Sequence, residues 1–249
     1  DWSSDVCSSD LQGGKLADLL QAFRAFLGQN DMMAYLVMMA PRLKELHRVL
    51  KPTGSIYLHC DTTASHYLKL LMDAIFGSEN FRNEVIWKRS HAHSDGKQGA
   101  RHYGRITDTL LFYSKGLDPT WNPQYLPYDQ SYIDRDYRRV DPDGRRYRID
   151  NLQGPGGAAK GNPIYEVMGV TRYWRFSKKK MGELIRDGRV IQTRPGAVPQ
   201  YKRYLDEMPG VPAQNLWDDV PPINNRSREI LGYPTQKPAG LQIGRASCR

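Results

Sequence analysis

His59, Cys60 and Asp61 close a short apolar run and are the first residues whose types could do chemistry. A carboxylate just past a strand end sits where open α/β sheets place ligand-contacting groups. The same Asp61 could instead cap a helix beginning near Thr63. As metal ligands the three are a poor set, because successive strand residues point to opposite faces. His91 and His93 flank one residue and have no third ligand near them, so they read as solvated loop histidines. Gly154–Gly161 (GPGGAAKG) invites a phosphate-cradle reading. It fails the pattern, since Lys160 is followed by Gly161 and Asn162 rather than by Ser or Thr, and a loop approaching a backbone fits better. Lys178, Lys179 and Lys180 offer charge to solvent or to phosphates. Trp87 could stack on a base, although core packing is the reading its own run favours.

Positioning these residues falls to an alternation of helices and strands. A helix is expected over Gln12–Gly28. Leu36, Met39, Leu43, Leu46 and Leu50 follow the 3–4 spacing of one helical face, with Asn30 or Asp31 as cap. Pro41 interrupts that helix and is expected to kink it, and Lys51–Gly54 stops it. Ser55–Cys60 (SIYLHC) reads as an interior strand. Thr63–Phe76 reads as a helix with Leu68, Leu71 and Ile75 on one face and Gly77 as its stop. Glu84–Arg89 and Thr107–Ser114 read as two more strands of the same sheet. This alternation argues for helices on a largely parallel sheet.

From Gly116 to about Ile230 the texture changes. Pro, Gly and Tyr are frequent, periodicity is weak, and one helix is expected at Ser177–Asp187. Between Gly116 and Asp206 stand 17 Lys/Arg against 11 Asp/Glu, with twelve aromatic residues interleaved. Cations offset phosphates and flat rings stack on bases, so this stretch is expected to bind nucleic acid. The whole chain agrees in sign, with a formal charge of +9 over 249 residues. No apolar run reaches the roughly 18 residues of a membrane span, so no membrane partner is expected.

Both ends read as foreign. Asp1–Leu11 (DWSSDVCSSDL) and Ile243–Arg249 (IGRASCR) lack periodicity. Back-translated, the second together with the end of Gln242, they accommodate the complementary stretches GCTCTTCCGATCT and AGATCGGAAGAGC, which look like sequencing-adapter DNA read in frame. Residues 1–11 and 242–249 are therefore expected to be adapter-derived and to pack on nothing. With Cys7 and Cys248 set aside, only Cys60 remains, which leaves neither a disulfide nor a cysteine metal site.

The strings MMAPRLKELHRVLKPTGSIYLHCD (Met38–Asp61), YLKLLMDAIFG (Tyr67–Gly77), NFRNEVIWKR (Asn80–Arg89), TDTLLFYSK (Thr107–Lys115) and LGYPTQKP (Leu231–Pro238) follow one another in a familiar order. Together they resemble DNA amino-methyltransferases of the β group, which includes type III modification subunits. The likeness implies an α/β fold: a partial Rossmann-like methyltransferase sheet that binds S-adenosylmethionine, with an inserted α+β target-recognition region. Residues 12–115 would be a partial catalytic domain, 116–230 the recognition region and 231–241 the start of a block that walls the cofactor pocket. Pro234, Thr235, Gln236 and Lys237 would contact the cofactor, Asp61 and Trp87 the flipped target base, and Lys160, Arg172, Lys178 and Lys179 the DNA.

The implied reaction is methyl transfer to adenine N6, with cytosine N4 as the alternative acceptor. A non-catalytic nucleic-acid-binding module is the competing reading. Implied partners are double-stranded DNA and a restriction subunit or a second methyltransferase subunit, in a prokaryotic or phage-like cytoplasm. The family's Asp-Pro-Pro-Tyr/Phe tetrapeptide is absent; it is expected upstream of Gln12, and a glycine-rich cofactor loop after YPTQKP. Asn122-Pro123-Gln124-Tyr125 and Asn162-Pro163-Ile164-Tyr165 resemble the tetrapeptide but lack its second proline, and are read as decoys.

Overall fold

The computed structural model describes residues 14–91, 99–224, 227–233 and 235–241; the adapter-like ends lie outside them. The chain divides into two compact units, one formed by residues up to Gln124 and from Gln214 onward, the other by Tyr125–Ala213.

The first unit opens with α1 (Lys15–Leu27) and α2 (Asp31–Val49). Asn30 caps α2, its Oδ1 accepting from the Met33 amide at 2.9 Å, a contact of about 1 kcal/mol. Pro41 sits inside α2 without ending it. At the other end Lys115 Nζ donates to the carbonyls of Arg48 and Leu50, a cation placed on the negative end of the helix. β1 (Ser55–Cys60) follows, then α3 (Ser65–Phe76), which Gly77 ends at φ 86°, a conformation glycine adopts without strain.

β2 (Phe81–Lys88) and β3 (Thr107–Ser114) complete the sheet with the short strand Leu216–Trp217, in the order β1, β3, β2, Leu216–Trp217. The three expected strands do share one sheet, but two expectations fail. β3 runs antiparallel to both β1 and β2, and only Leu216–Trp217 lies parallel to β2. The reason is that α3 keeps β1 and β2 in the same direction, as a crossover should, while β3 slots between them instead of beside them. Ser55–Cys60 is then the edge strand among the described residues rather than an interior one. Periodicity reports which side chains are buried, not which strand pairs with which.

Two clusters sandwich this sheet. On one face, Leu36, Leu43, Leu68 and Leu71 of the helices are fully buried against Cys60, Leu111 and Tyr113. Burying each leucine contributes about 1.5–3 kcal/mol. On the other, Val85, Trp87 and Leu110 pack with Trp217, Val220 and Leu241.

The second unit is built from short pieces: β4 (Tyr125–Leu126), α4 (Gln130–Asp136), β5 (Arg139–Val140), β6 (Arg146–Asn151), β7 (Ile164–Val167), β8 (Val170–Tyr173), α5 (Lys178–Arg186), β9 (Val190–Ile191), β10 (Gln200–Tyr204) and β11 (Val211–Pro212). The largest sheet has the order β5, β6, β10, β9; β7 and β8 form a separate hairpin, and β11 pairs with β4. α5 lies where the sequence expects it, capped by Ser177 Oγ. Leu152, Val167, Trp174, Met181, Leu184 and Val190 form the core, and the Trp174 indole donates to the Tyr165 carbonyl at 2.8 Å.

Candidate functional site

The polar end of the first unit's sheet is where β1 and β2 finish and β3 begins. His59 Nε2 lies 2.9 Å from Asp108 Oδ2, and Arg89 Nε lies 3.2 Å from Asp108 Oδ1. The Asp108 side chain is only 6% exposed. A carboxylate so buried requires partners, and here it has two. The Trp87 ring stands edge-on to His59, centroids 6.1 Å apart. Burial pushes the His59 imidazole below its ordinary pKa; Asp108 opposes this, while the charges of Lys237 and Arg89 act in the same sense as burial. At neutral pH His59 is therefore neutral, donating from Nε2 to the Asp108 carboxylate and keeping its lone pair on Nδ1. Arg89 and the His59 imidazole thus hold one buried carboxylate, with the Lys237 charge acting on His59, a set suited to an anionic or electron-rich planar group.

Cys60, the next residue, belongs to the opposite face. Burial, with the nearby charges of Asp61, Glu84 and Asp108, pushes its thiol up to about 12, so it is not a nucleophile. Among the described residues no cluster of three His, Cys, Asp or Glu side chains could hold a metal, and no helix is long and apolar enough to cross a membrane.

The residues singled out for the target base have other partners. Asp61 is exposed and its Oδ1 accepts from the amides of Thr63 and Ala64, both at 3.0 Å, the geometry of a cap. Trp87 is 3% exposed and donates from Nε1 to the Val220 carbonyl at 2.9 Å, the geometry of core packing. In the YPTQKP block, Pro234 lies outside the described residues. Thr235 is exposed. Gln236 staples its own loop, accepting from the Leu231 amide and donating to the Glu229 carbonyl. Lys237 donates to the Thr235 carbonyl at 3.2 Å and lies close enough for its charge to act on His59. Pro238 and Leu241 are buried, which fastens this block to the sheet.

Sequence reasoning set His59 aside and passed over Asp108 and Arg89. One signal was available: Asp108 shares β3 with the apolar run Leu110–Tyr113, and a carboxylate in a strand of that kind must find a partner.

In the second unit several cations are engaged internally. Arg145 pairs with Asp206 and Glu207, Arg189 with Glu207, Lys202 with Asp141 and Arg203 with Asp150. Lys160, Arg172, Lys178 and Lys179 are exposed and form no ion pair among the described residues. The GPGGAAKG loop turns through left-handed Gly156 and Gly161 and closes on Asn162, whose amide donates to the carbonyls of Pro155 and Gly157 at 3.0 and 3.1 Å. Asn162 therefore has a structural task, and the loop wraps a side chain rather than presenting a phosphate cradle. His91 is exposed, and His93 lies outside the described residues.

Comparison with known proteins bears on what these arrangements serve. The chain is similar to the type II methyltransferase M.EcaI of Enterobacter cloacae, 27% identical over 207 residues covering 82% of this chain and 45% of that protein. It is similar to the Mod subunit of the type III restriction-modification enzyme StyLTI of Salmonella typhimurium, 27% identical over 253 aligned positions covering 96% of this chain and 38% of that protein. The type II methyltransferase M.KpnI of Klebsiella pneumoniae is 28% identical over 220 residues, 76% of this chain and 49% of that protein. The chain spans less than half the length of each of these relatives. A DNA methylase family model, N6_N4_Mtase, matches residues 18–242, and the chain belongs to that DNA methylase family.

Proposed function

We propose that this chain is part of a site-specific DNA methyltransferase that transfers a methyl group from S-adenosylmethionine to adenine N6. The observation carrying this reading is the fastening of the YPTQKP block against the sheet, with Lys237 within electrostatic reach of His59, which Asp108 holds beside Arg89 at the strand ends. The residues present fit one end of S-adenosylmethionine: the Lys237 ammonium suits its carboxylate, whereas the Gln236 amide is committed to its own loop. When bound, that group supplies an electrophilic methyl on a sulfonium. Thr235 and Lys237 line its pocket; Trp87 backs the target-base pocket from the core, and Asp61 lies at its rim. His59, held by Asp108, presents an uncharged lone pair on the same side of the sheet. Likeness to the type III Mod subunit supports adenine over cytosine, and a restriction subunit or a second methyltransferase subunit as partner. The setting is a prokaryotic or phage-like cytoplasm, where such DNA is found.

Residues 116–230, with the Tyr125–Ala213 unit at their centre, serve as the target-recognition region inserted in the methyltransferase fold. Lys160, Arg172, Lys178 and Lys179 face the duplex phosphates. By itself the chain transfers no methyl group, because no Asp-Pro-Pro-Tyr or Asp-Pro-Pro-Phe occurs in its sequence. Proximity and orientation supply about 7–11 kcal/mol of barrier lowering, which a chain without that tetrapeptide forfeits in large part. The test is tritium transfer from labelled S-adenosylmethionine to duplex DNA, run on this chain and on a polypeptide extended at both ends. Transfer by the extended form alone supports the reading. Transfer by this chain would mean the catalytic residues lie within it.

The unpaired cations of the second unit favour one other reading, a nucleic-acid-binding module without catalysis. Transfer by neither polypeptide, together with DNA affinity that falls by roughly 0.9 log units per log unit of salt for each phosphate contacted, would select it.

A further inference from the structure

The β7–β8 hairpin is closed by two residues, Met168 and Gly169, since Val167 pairs directly with Val170. Both central residues have positive φ, 49° for Met168 and 80° for Gly169. Such turns match the twist of the flanking strands, and their first position favours Asn, Asp or Gly, whose backbones tolerate the left-handed region. Methionine does not share that tolerance, and Met168 is the non-glycine residue at positive φ among the described residues. Backbone strain of this kind persists only where the surroundings hold it, and it marks sites where the side chain itself is needed.

The surroundings do hold it. Gln192 Nε2 donates to the Met168 carbonyl at 2.8 Å and to the Ala197 carbonyl at 2.9 Å, which fixes the tip from outside the hairpin. The Trp174 indole donates to the Tyr165 carbonyl, and the Tyr165 hydroxyl to the Phe176 carbonyl at 2.7 Å, anchoring the base. Met168 nevertheless remains 46% exposed. A strained, rigidly held turn thus presents an unbranched apolar side chain to the outside.

The hairpin and the chain flanking its base are cationic. Lys160 precedes β7, Arg172 lies on β8, and Arg175, Lys178 and Lys179 follow it, all exposed and in no ion pair among the described residues. The hairpin itself carries one carboxylate, Glu166, paired across to Thr171. An apolar point at the tip of a hairpin whose base is flanked by cations suits a polyanion with an apolar interior reachable between stacked planes. We propose that Met168 is a wedge that enters between adjacent base pairs of duplex DNA while the cations flanking the base of its hairpin hold the phosphates to either side. Side chains of this type unstack a base step and bend the duplex. The inference rests on the reading of this unit as the DNA-binding part of the chain.

The test uses the whole chain, its Met168→Asn variant and two 20-base-pair duplexes, one fully paired and one with a single central mismatch. A mismatch lowers the cost of unstacking, so wild-type protein should prefer the mismatched duplex by about tenfold. Met168→Asn puts a residue suited to left-handed backbone at the tip, so its thermal midpoint should equal or exceed that of the wild type. It should lose the mismatch preference and bind the paired duplex about fivefold or more weakly. The slope of log affinity against log salt should not change, because no phosphate contact is removed. A variant that keeps the wild-type mismatch preference, or that loses affinity only by changing the salt slope, overturns the wedge while leaving DNA binding intact. Wild-type protein that binds neither duplex overturns the DNA-binding reading, and the wedge with it.

Discussion

In the first unit, leucines from three helices are buried against one face of a sheet, and polar contacts gather at the strand ends. In the second, a sheet of strands two to six residues long is held by rings and ions: Arg145 and Arg189 stack on Tyr204, Lys202 and Tyr204 both donate to Asp141, and Trp174 fills the core. The contrast follows from geometry. Helices of 12 to 19 residues present long apolar stripes, so hydrophobic burial suffices. Strands this short bury few aliphatic side chains each, and large rings together with ion pairs, the Lys202–Asp141 pair the most shielded of them, supply what is missing.

The sharpest way to break that contrast is to remove one anchor from each unit. Leu68→Ala should destabilise the first unit by about 2–5 kcal/mol, and Trp174→Ala the second by about 3–5 kcal/mol, both measured by urea unfolding. Next in size, Asp141→Asn should cost about 1–3 kcal/mol, because Lys202 and Tyr204 lose a shared acceptor that is itself only 11% exposed. If Asp141→Asn cost more than Trp174→Ala, ions rather than rings would be the main support of the second unit. Its hydrogen bonds from Lys202 and Tyr204 hold the Asp141 carboxyl below the usual range. That contribution is present above the ordinary carboxylate value and fades as pH falls through the depressed one.

The smallest effect belongs to the first unit. With its pKa lowered in the fold, chiefly by burial, His59 binds protons less readily folded than unfolded. Stability should therefore fall as pH drops through the ordinary value of 6.5, and level off below the folded one. His47, also lowered by burial, acts in the same sense. His59→Gln, which can still donate to Asp108, should reduce the loss of urea midpoint between pH 7.5 and pH 5.5. An unchanged loss would place the titration elsewhere.

What could be read from the sequence was local. The spacing of Leu36, Leu43 and Leu68, the cap at Asn30, the stop at Gly77 and the helix after Ser177 depend on residues within one or two turns, and the structure repeats them. The edge position of β1 and the insertion of β3 between β1 and β2 depend on pairing across about fifty residues, which periodicity does not encode. The polar end of the sheet was hidden for the same reason. His59 and Asp108 are 49 positions apart and meet only because β1 and β3 pair in that register. Asp61 and Trp87 were visible as residue types, but their hydrogen bonds to Ala64 and Val220 were not.

Because the inward cations of the second unit are matched by Asp141, Asp150, Asp206 and Glu207, the outward ones do not hold the fold together. Replacing exposed residues of that kind ordinarily changes stability by no more than about 0.5 kcal/mol. Lys160, Arg172, Lys178 and Lys179 can therefore drift from one lineage to the next with the scaffold intact. Orthologues should keep the four carboxylates while the outward positions diverge, so that a new surface can arise by single substitutions without passing through an unfolded ancestor.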